Sequence, residues 1–215
     1  MNRPSSAPDP LGPLRSPQWL GEARRKAIHL AFLVLPLSLL HEFLPWPRGR
    51  REFGQLFALL TAGAIAIDLL RLHDRRVRGF FRTFLGEMIR EHEAFSLLGS
   101  TYLLLASLLA IEIFPQPVAA AALGYTVLGD AFGALVGRAW GRHRIVGHKS
   151  LEGAAGCLLA CSAWAAYVVA VGHLAPGIAA CGAAVATGVE LLPIPLDDNL
   201  GITLAAGFAM KLLAG

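Results

Sequence analysis

One stretch of this 215-residue chain combines a carboxylate with regularly spaced glycines inside an apolar segment. Glycines recur around Asp130 at every fourth position, namely Gly129, Gly133, Gly137 and Gly141. On a helix this spacing places the glycines on nearly one face. Such a face can pack closely against another helix, and it can leave a groove in which the backbone approaches a phosphate. The two interpretations are compatible with each other.

Basic residues follow this segment directly, among them Arg138, Arg142 and Lys149. A carboxylate beside cations and a glycine groove is the set of groups that phosphoryl transfer requires. The carboxylate holds a magnesium ion or accepts a proton from an attacking hydroxyl, while Arg and Lys neutralise phosphate oxygens. A basic loop is also what membrane topology demands on the inner side. Asp130 is the candidate catalytic carboxylate, and the cations are candidate nucleotide-binding residues.

A second acidic group lies near the C-terminal end, between two apolar segments. Three carboxylates and an amide fall within ten residues, 190–199, and the prolines between them break the helix. Helix capping by Asp198 or Asn199 accounts for one of these side chains but not for three carboxylates. Hard oxygen ligands suit Mg²⁺ that carries a nucleotide's phosphates. The predicted metal ligands are Asp130, Glu190, Asp197, Asp198 and Asn199.

Two further carboxylates in apolar segments have simpler explanations. Asp68 lies one turn before a basic stretch, where it can pair with Arg71 or Arg75. Glu112 lies close to the predicted end of an apolar run, beside Pro115, where a carboxylate can reach the membrane interface. A functional role for Asp68 stays open, and an interfacial position accounts for Glu112 equally well.

The composition indicates which elements must position these residues. The chain is 55% hydrophobic and 16% charged, with a mean hydropathy of +0.55, which excludes intrinsic disorder and does not suit an ordinary water-soluble domain. The three cysteines form no C-x-x-C pair and give no zinc signature. Although the net charge is +4, the basic residues lie between apolar runs, a pattern typical of membrane proteins. We therefore predict an all-α, polytopic bundle in a lipid bilayer, with no nucleic-acid partner.

Residues 1–20 contain five prolines and are expected to form a flexible tail, followed by one membrane domain over 21–215. With the N-terminus in the cytoplasm, 15 of the 19 Lys and Arg residues lie inside. This orientation places the C-terminus on the opposite side of a plasma (inner) membrane. The loops 71–92, 138–152 and 192–199 then share the cytoplasmic face. Seven runs are candidates to cross about 30 Å of hydrocarbon: 27–44, 54–72, 95–114, 118–137, 153–172, 173–191 and 200–214.

Four stretches, in order, resemble the CTP-dependent lipid kinases, the group of dolichol kinase, phytol kinase and the CTP-using diacylglycerol kinase. LGDAFGALVGRAWGRHRIVGHKSLEG (128–153) is similar to the family's L-G-D-x-x-A-A-x-V-G-R-x-x-G core and its K-S-x-E-G element, with Gly133 in place of one alanine. EARRKAIHL (22–30), REHEAFSLLGSTYLLLA (90–106) and ELLPIPLDDNLGITLAAG (190–207) resemble further family elements. Thr203 stands where a proline is common. The resemblance runs from residue 22 almost to the end.

The resemblance implies transfer of the γ-phosphate of CTP, with Mg²⁺, to the hydroxyl of a polyprenol or dolichol, of phytol or of diacylglycerol. It implies a nucleotide site that includes Ser150 and Glu152 besides the glycines and cations named above. Glu93 is a candidate acid or base, although a surface salt bridge with Arg90 explains it equally well. His92 is a candidate acid or base and, with His29, a candidate for the lipid headgroup. His29 can instead be a histidine hydrogen-bonded within the bundle.

Two other functions remain open at this point. Phosphatidate cytidylyltransferases share a related stretch with an aspartate, a G-R-x-x-G and a K-x-x-E-G, but their C-terminal signature with K-D and D-R elements is not present here. A small transporter could use intramembrane acids to relay protons. Transporters often contain internal repeats, and the two halves of this chain show no convincing similarity.

Overall fold

The computed structural model describes residues 17–85, 93, 95–147, 149–192 and 196–215, which form helices joined by short loops and one β-hairpin. β1 (Arg144–Val146) pairs antiparallel with β2 (Lys149–Ser150). The predicted all-α class is confirmed. The helices are α1 (Pro17–Ala31), α2 (Val34–His41), α3 (Gly49–His73), α4 (Arg75–Leu85), α5 (Gly99–Ile113), α6 (Gln116–Trp140), α7 (Leu151–Ala170), α8 (Pro176–Leu191) and α9 (Asp198–Ala214).

The central element is α6, which packs against α1, α2, α5, α7, α8 and α9. Every residue of α6 from 118 to 127 is buried. Four consecutive alanines, 119–122, make this part of the helix narrow, so neighbouring backbones approach it from several sides. Around it, α7 packs on α8, α8 on α9, α9 on α5 and α5 on α3.

The first predicted apolar run, 27–44, is not one continuous helix. Its first helix ends at Ala31 and the next begins at Val34 and covers eight residues. Pro36 explains the interruption because it has no N–H to donate to the carbonyl of Phe32, and its ring clashes with that carbonyl in a helix. At the other end, α1 begins at Pro17, so residues 17–20 of the predicted tail are helical.

Three helices are long and apolar enough to cross a membrane by length and composition, namely α3, α6 and α7. They contain 25, 25 and 20 residues and coincide with the predicted runs 54–72, 118–137 and 153–172. Two shorter apolar helices, α5 and α8, have 15 and 16 residues. Seven spanning helices are therefore not confirmed, because only three of the described helices reach a spanning length.

The predicted basic loop 71–92 contains a helix. The end of α3 extends to His73, and α4 begins at Arg75 after a single residue, Asp74. The Asp74 carboxylate accepts hydrogen bonds from the backbone N–H groups of Arg76 and Val77, at 2.6 and 3.3 Å, and so caps the start of α4. Residues 86–92 lie outside the described part of the chain, so the prediction for His92 falls there too.

Candidate functional site

Direct polar contacts bring two of the predicted loops, 138–152 and 192–199, together at one end of the bundle, where α3, α6 and α8 end and α5, α7 and α9 begin. Lys149, before α7, contacts Asp198 at the start of α9 with 3.1 Å between Nζ and Oδ2. The Asn199 side-chain amide donates to the carbonyl of Gly99, the first residue of α5, at 3.2 Å. We call the group Asp130, Lys149, Glu190, Asp198 and Asn199 the polar end.

Asp130 lies on α6 and faces the C-terminal half of α1. Its carboxylate accepts a hydrogen bond from the ammonium group of Lys26, and His29 Nε2 lies 3.6 Å from the same oxygen. Lys26 and His29 are three residues apart, so they lie on one face of α1. The side chains of Lys26, His29 and Asp130 are 2%, 12% and 13% exposed. A buried charge is expensive unless it is paired, and Lys26 provides the opposite charge for Asp130.

Lys149 connects two acidic residues from different helices. Its ammonium donates to Glu190 Oε1 at 2.7 Å and to Asp198 Oδ2 at 3.1 Å. Burial alone would lower the pKa of Lys149, but the nearby charges of Asp198 and Glu190 outweigh this effect and raise the pKa above its usual value. Lys149 therefore keeps its positive charge at every physiological pH.

Glu190 links the Lys149 cluster to the face of α6 that carries Asp130. A Cβ atom placed on Gly133 would lie 3.6 Å from Glu190 Oε1, so this carboxylate rests against α6 one turn beyond Asp130. The two carboxylates are also close enough to interact electrostatically. Asp130 and Glu190 therefore share one region of the bundle, each with its own lysine.

Asn199 is buried beside the start of α5. While its amide nitrogen is bonded to Gly99, its oxygen Oδ1 is buried and has no hydrogen-bond partner among the described residues. Glu93 reaches the same place from the preceding loop, where its carboxylate accepts a hydrogen bond from the Gly99 N–H at 2.9 Å. Glu93 is 7% exposed. It is therefore a buried residue that fixes the start of α5, and the predicted partner Arg90 lies outside the described residues.

A buried ion pair holds the loop before α5 against α3. Arg71 donates from Nε to Asp68 Oδ1 at 3.1 Å and from its other nitrogens to the carbonyls of Glu93 and Ser96, at 2.8 and 2.6 Å. The other carboxylate oxygen of Asp68 accepts from the backbone N–H of Leu98 and the hydroxyl of Thr101. The simpler explanation of Asp68, pairing with Arg71, is the one that the structure shows.

The glycine face of α6 is covered by α7. A Cβ atom on Gly137 would lie 3.4 Å from the Cα of Gly153, and one on Gly129 would lie 2.8 Å from Cys161 Sγ. A Cβ atom on Gly153 itself would lie 3.0 Å from the carbonyl oxygen of Gly133. The close backbone approach that these glycines permit is thus made by α7, as the packing interpretation predicts. Beside Gly129, Gly133 and Gly137 this face is filled by protein, and phosphate binding by these glycines stays a prediction.

The residues between α6 and α7 are organised by Ser150 and Glu152. The Ser150 hydroxyl accepts a hydrogen bond from the Gly153 N–H at 3.1 Å and caps α7. The Glu152 carboxylate accepts from the backbone N–H groups of Arg142 and His143 and from the His143 ring at 2.6 Å. Both predicted nucleotide-binding residues therefore shape the loop itself. A Cβ atom on Gly141 would lie 2.1 Å from the carbonyl oxygen of Gly137, so this position of the loop has no room for a side chain.

The two predicted arginines Arg138 and Arg142 are exposed near Lys149 in sequence, on the last turn of α6 and directly after it. Lys149, by contrast, is only 28% exposed.

The predicted Mg²⁺ ligands separate into different roles. Among the residues that the structure describes, no three His, Cys, Asp or Glu side chains are grouped as a metal site. Asp197 caps α9, since its carboxylate accepts from the Asn199 N–H at 2.9 Å; the capping residue is thus one position earlier than Asp198. The best fit to Mg²⁺ is the pair Asp198 and Asn199, because Asp198 is accessible and Asn199 has a buried, unsatisfied oxygen.

Sequence reasoning missed Lys26 as the partner of Asp130. It counted Lys26 among the basic residues that set topology and began the first apolar run one residue later. The signal was present, because Lys26 and His29 fall three residues apart within the motif EARRKAIHL and share a helix face. What the sequence does not contain is the position of α1 against α6.

Comparisons with known proteins add little about function. No protein-family model and no solved structure match this chain. The chain is similar to a protein described as "Uncharacterized protein RP860" from Rickettsia prowazekii (strain Madrid E), with 26% identity over 119 residues. The match covers 54% of this chain and 55% of that protein, so it spans about half the length of each.

Proposed function

We propose that this protein is a CTP-dependent kinase that phosphorylates the hydroxyl group of a membrane lipid alcohol at the cytoplasmic face. The observation that carries the proposal is the polar end. There Lys149, Glu190 and Asp198 from three separate segments meet beside Asp130 at one end of a bundle of apolar helices. The choice of CTP and of a polyprenol, phytol or diacylglycerol rests on the resemblance to the CTP-dependent lipid kinases.

Apolar surface supports a location in the bilayer. The helix α3 carries several large side chains that face outward, including Leu59 at 73% exposure and Leu70 at 58%, and Leu159 of α7 is 72% exposed. Soluble proteins rarely expose apolar patches of this kind. Together with three helices of spanning length, this surface favours a multi-pass protein of the plasma membrane. The positive-inside rule favours a cytoplasmic N-terminus and a C-terminus on the other side.

The position of the polar end suits a reaction between a lipid and a nucleotide. A lipid alcohol keeps its chain among apolar helices and its hydroxyl at the membrane surface, whereas CTP stays in water. At the polar end, Asp198 is 36% exposed while Glu190 is 8% exposed and Asp130 13%. The exposure of the side chains thus falls from the water-accessible to the buried part of the site over a few residues. A reaction between a nucleotide in water and a lipid in the bilayer requires such a site.

We assign the following roles. Arg138, Arg142 and Lys149 bind the oxygens of the triphosphate, which carry the charge that shifts during transfer. The hydroxyl oxygen of the lipid attacks the γ-phosphorus, the bond to the β-phosphate oxygen breaks, and CDP leaves. Asp130 orients that hydroxyl and accepts its proton, with Lys26 holding the carboxylate in place.

Asp198 and Asn199, with Glu190 beside them, would hold the Mg²⁺ that accompanies the nucleotide. When bound, the ion neutralises phosphate charge as it develops. In the structure the ammonium group of Lys149 pairs with these carboxylates, at 2.7 Å from Glu190 and 3.1 Å from Asp198. We expect Lys149 to exchange these carboxylates for phosphate oxygens when the nucleotide binds. We expect His29, which lies 3.6 Å from Asp130, to contact the lipid headgroup.

The test is a phosphate-transfer assay on the purified chain in nanodiscs. The protein is incubated with Mg²⁺ and CTP labelled either at the γ- or at the α-phosphate, with polyprenol, phytol, diacylglycerol and phosphatidate in turn. Label in lipid from γ-labelled CTP supports the kinase. Label in lipid from α-labelled CTP instead establishes a cytidylyltransferase, and no transfer from CTP to any of these lipids refutes both.

Two variants separate the site from the rest of the bundle. Asp130→Asn keeps the size of the side chain and removes its charge, so transfer should fall while the protein still inserts. Glu112→Gln makes the same change at the opposite end of the bundle, where Glu112 lies beside α3 at Gly54. Equal activity of Asp130→Asn and Glu112→Gln would contradict the role of Asp130.

A further inference from the structure

The helix α4 has two chemically distinct sides. Its sequence, RRVRGFFRTFL, contains four arginines and no acidic residue. At 100° per residue, Val77, Phe80, Phe81 and Phe84 fall on one side of the helix. Arg75, Arg78 and Arg82 fall on the opposite side, and Arg76 flanks the aromatic side.

The aromatic side of α4 is largely uncovered. Phe80 is 59% exposed and Phe84 is 69% exposed, and their rings contact each other with centroids 4.6 Å apart. Phe95, in the loop that Arg71 holds against α3, is 87% exposed. Aromatic side chains of this size are normally buried. Their exposure indicates that this side meets an apolar phase.

The direction of α4 is fixed by the end of α3. Asp74 ends α3 and caps the start of α4. Arg78 donates from Nε to the carbonyl of Arg71 at 3.4 Å and from a terminal nitrogen to the carbonyl of Leu72. Because α3 is one of the helices long enough to cross a membrane, α4 begins where α3 would leave the hydrocarbon.

We propose that α4 lies in the surface of the lipid bilayer and recognises anionic lipid headgroups. Basic, amphipathic helices with aromatic residues on the apolar side bind in the plane of the membrane in this way. The exposed Arg75, Arg76 and Arg82 supply positive charge that complements the anionic headgroups of a cytoplasmic leaflet. Arg78 instead holds the joint with α3.

This arrangement places a lipid-binding surface beside the polar end. The loop that carries Phe95 leads into α5, whose first residue contacts Asn199 and Glu93. The inference rests on the membrane location of the chain but does not require any phosphate transfer. Lipid contact and catalysis can therefore be measured separately.

The experiment is hydrogen exchange of the full chain in nanodiscs, followed for peptides that cover α4. One set contains phosphatidylcholine alone and the other a mixture of phosphatidylcholine and phosphatidylglycerol. We expect slower exchange of α4 in the anionic set. In the double variant Arg76→Gln/Arg82→Gln, the protection factor of α4 in the anionic set should be about 25-fold lower than in the wild-type chain. Each arginine near an anionic surface contributes about 1 kcal/mol, or about fivefold.

The matched control is Arg48→Gln/Arg51→Gln, which removes two exposed charges at the other end of α3 and should leave the exchange of α4 unchanged. A variant helix that merely unfolds exchanges faster in both lipid sets, so the difference between the sets is the readout. High salt should reduce that difference in the wild-type chain, because it screens surface charge. Equal exchange of wild-type α4 in both sets would overturn the proposal. Protection of α4 in native membranes but in neither nanodisc set would also overturn the proposal, because it would indicate that α4 binds a protein partner.

Discussion

Replacing Lys149 with methionine should destabilise the protein mainly through Glu190. Methionine keeps most of the length of the side chain but removes the ammonium that contacts two carboxylates. The Glu190 side chain is 8% exposed, so its carboxylate would be left largely without water or an opposite charge. The Asp198 side chain is 36% exposed and would be solvated instead.

The magnitude follows from these two exposures. Breaking a fully buried pair costs about 3–5 kcal/mol, whereas an exposed pair is worth about 0.2–1 kcal/mol. With Lys149 itself 28% exposed, the Glu190 contact lies between these limits, at about 2 kcal/mol. The Asp198 contact adds about 0.5 kcal/mol. We expect Lys149→Met to lower the free energy of unfolding by about 2.5 kcal/mol.

A double-mutant cycle in detergent micelles, with denaturant unfolding as the assay, measures the two contacts separately. Lys149→Met combined with Glu190→Gln should recover most of the lost stability, because the double variant leaves no unpaired buried charge. The same cycle with Asp198→Asn should give a coupling energy below about 1 kcal/mol. The reasoning is refuted if the Asp198 coupling exceeds the Glu190 coupling, or if Glu190→Gln fails to rescue.

Three further predictions concern other parts of the molecule. In the transfer assay, Asp130→Asn should lose at least about 100-fold of activity, and Glu112→Gln should keep it. Gly153→Ala should cost about 1–3 kcal/mol of unfolding free energy, because its Cβ would lie 3.0 Å from a backbone oxygen of α6. Gly188→Ala, which lies within α8 and has open space around it, should instead raise stability by about 0.5–1 kcal/mol in the same denaturant titration. Because the pKa of Lys149 is raised on folding, its stabilising effect is fully present below its unfolded-state pKa of about 10.4 and lost as the pH rises through the folded-state pKa. The stability difference between wild type and Lys149→Met should thus stay constant to about pH 10 and shrink above it; a difference that shrinks near neutral pH contradicts this.

The hydrophobic pattern predicted the positions of the long helices well, because a long run of apolar residues is enough to identify such a helix. The predicted runs around Asp68, Asp130 and Cys157 are apolar over about 20 residues, and each lies in a helix of spanning length. The interruption at Phe32 was missed because hydropathy does not register the backbone effect of Pro36. The helix α4 was missed for a related reason. Its arginines and phenylalanines alternate at helical spacing, so the mean hydropathy of the segment is that of a loop.

The candidate site was only partly predictable. Proximity of the acidic loop to Lys149 followed from topology, since both were assigned to one side of the membrane, and the two are in contact. The pairing of Asp130 with Lys26 depends on how α1 crosses α6, which no local pattern contains. The glycines around Asp130 allowed two compatible interpretations, and the α7 residues that pack against them lie more than twenty residues beyond Asp130 in the chain.

The contact between α6 and α7 also bears on how the chain is assembled during synthesis. These two helices are neighbours in sequence, joined by a short hairpin, and their glycine faces meet backbone to backbone. Contacts between neighbours form early because little chain entropy opposes them. We therefore expect α6 and α7 to associate before α8 and α9 leave the ribosome. At that stage Lys149 has neither of its acidic partners. The ion pairs form only when the last segments, which carry Glu190 and Asp198, have been synthesised.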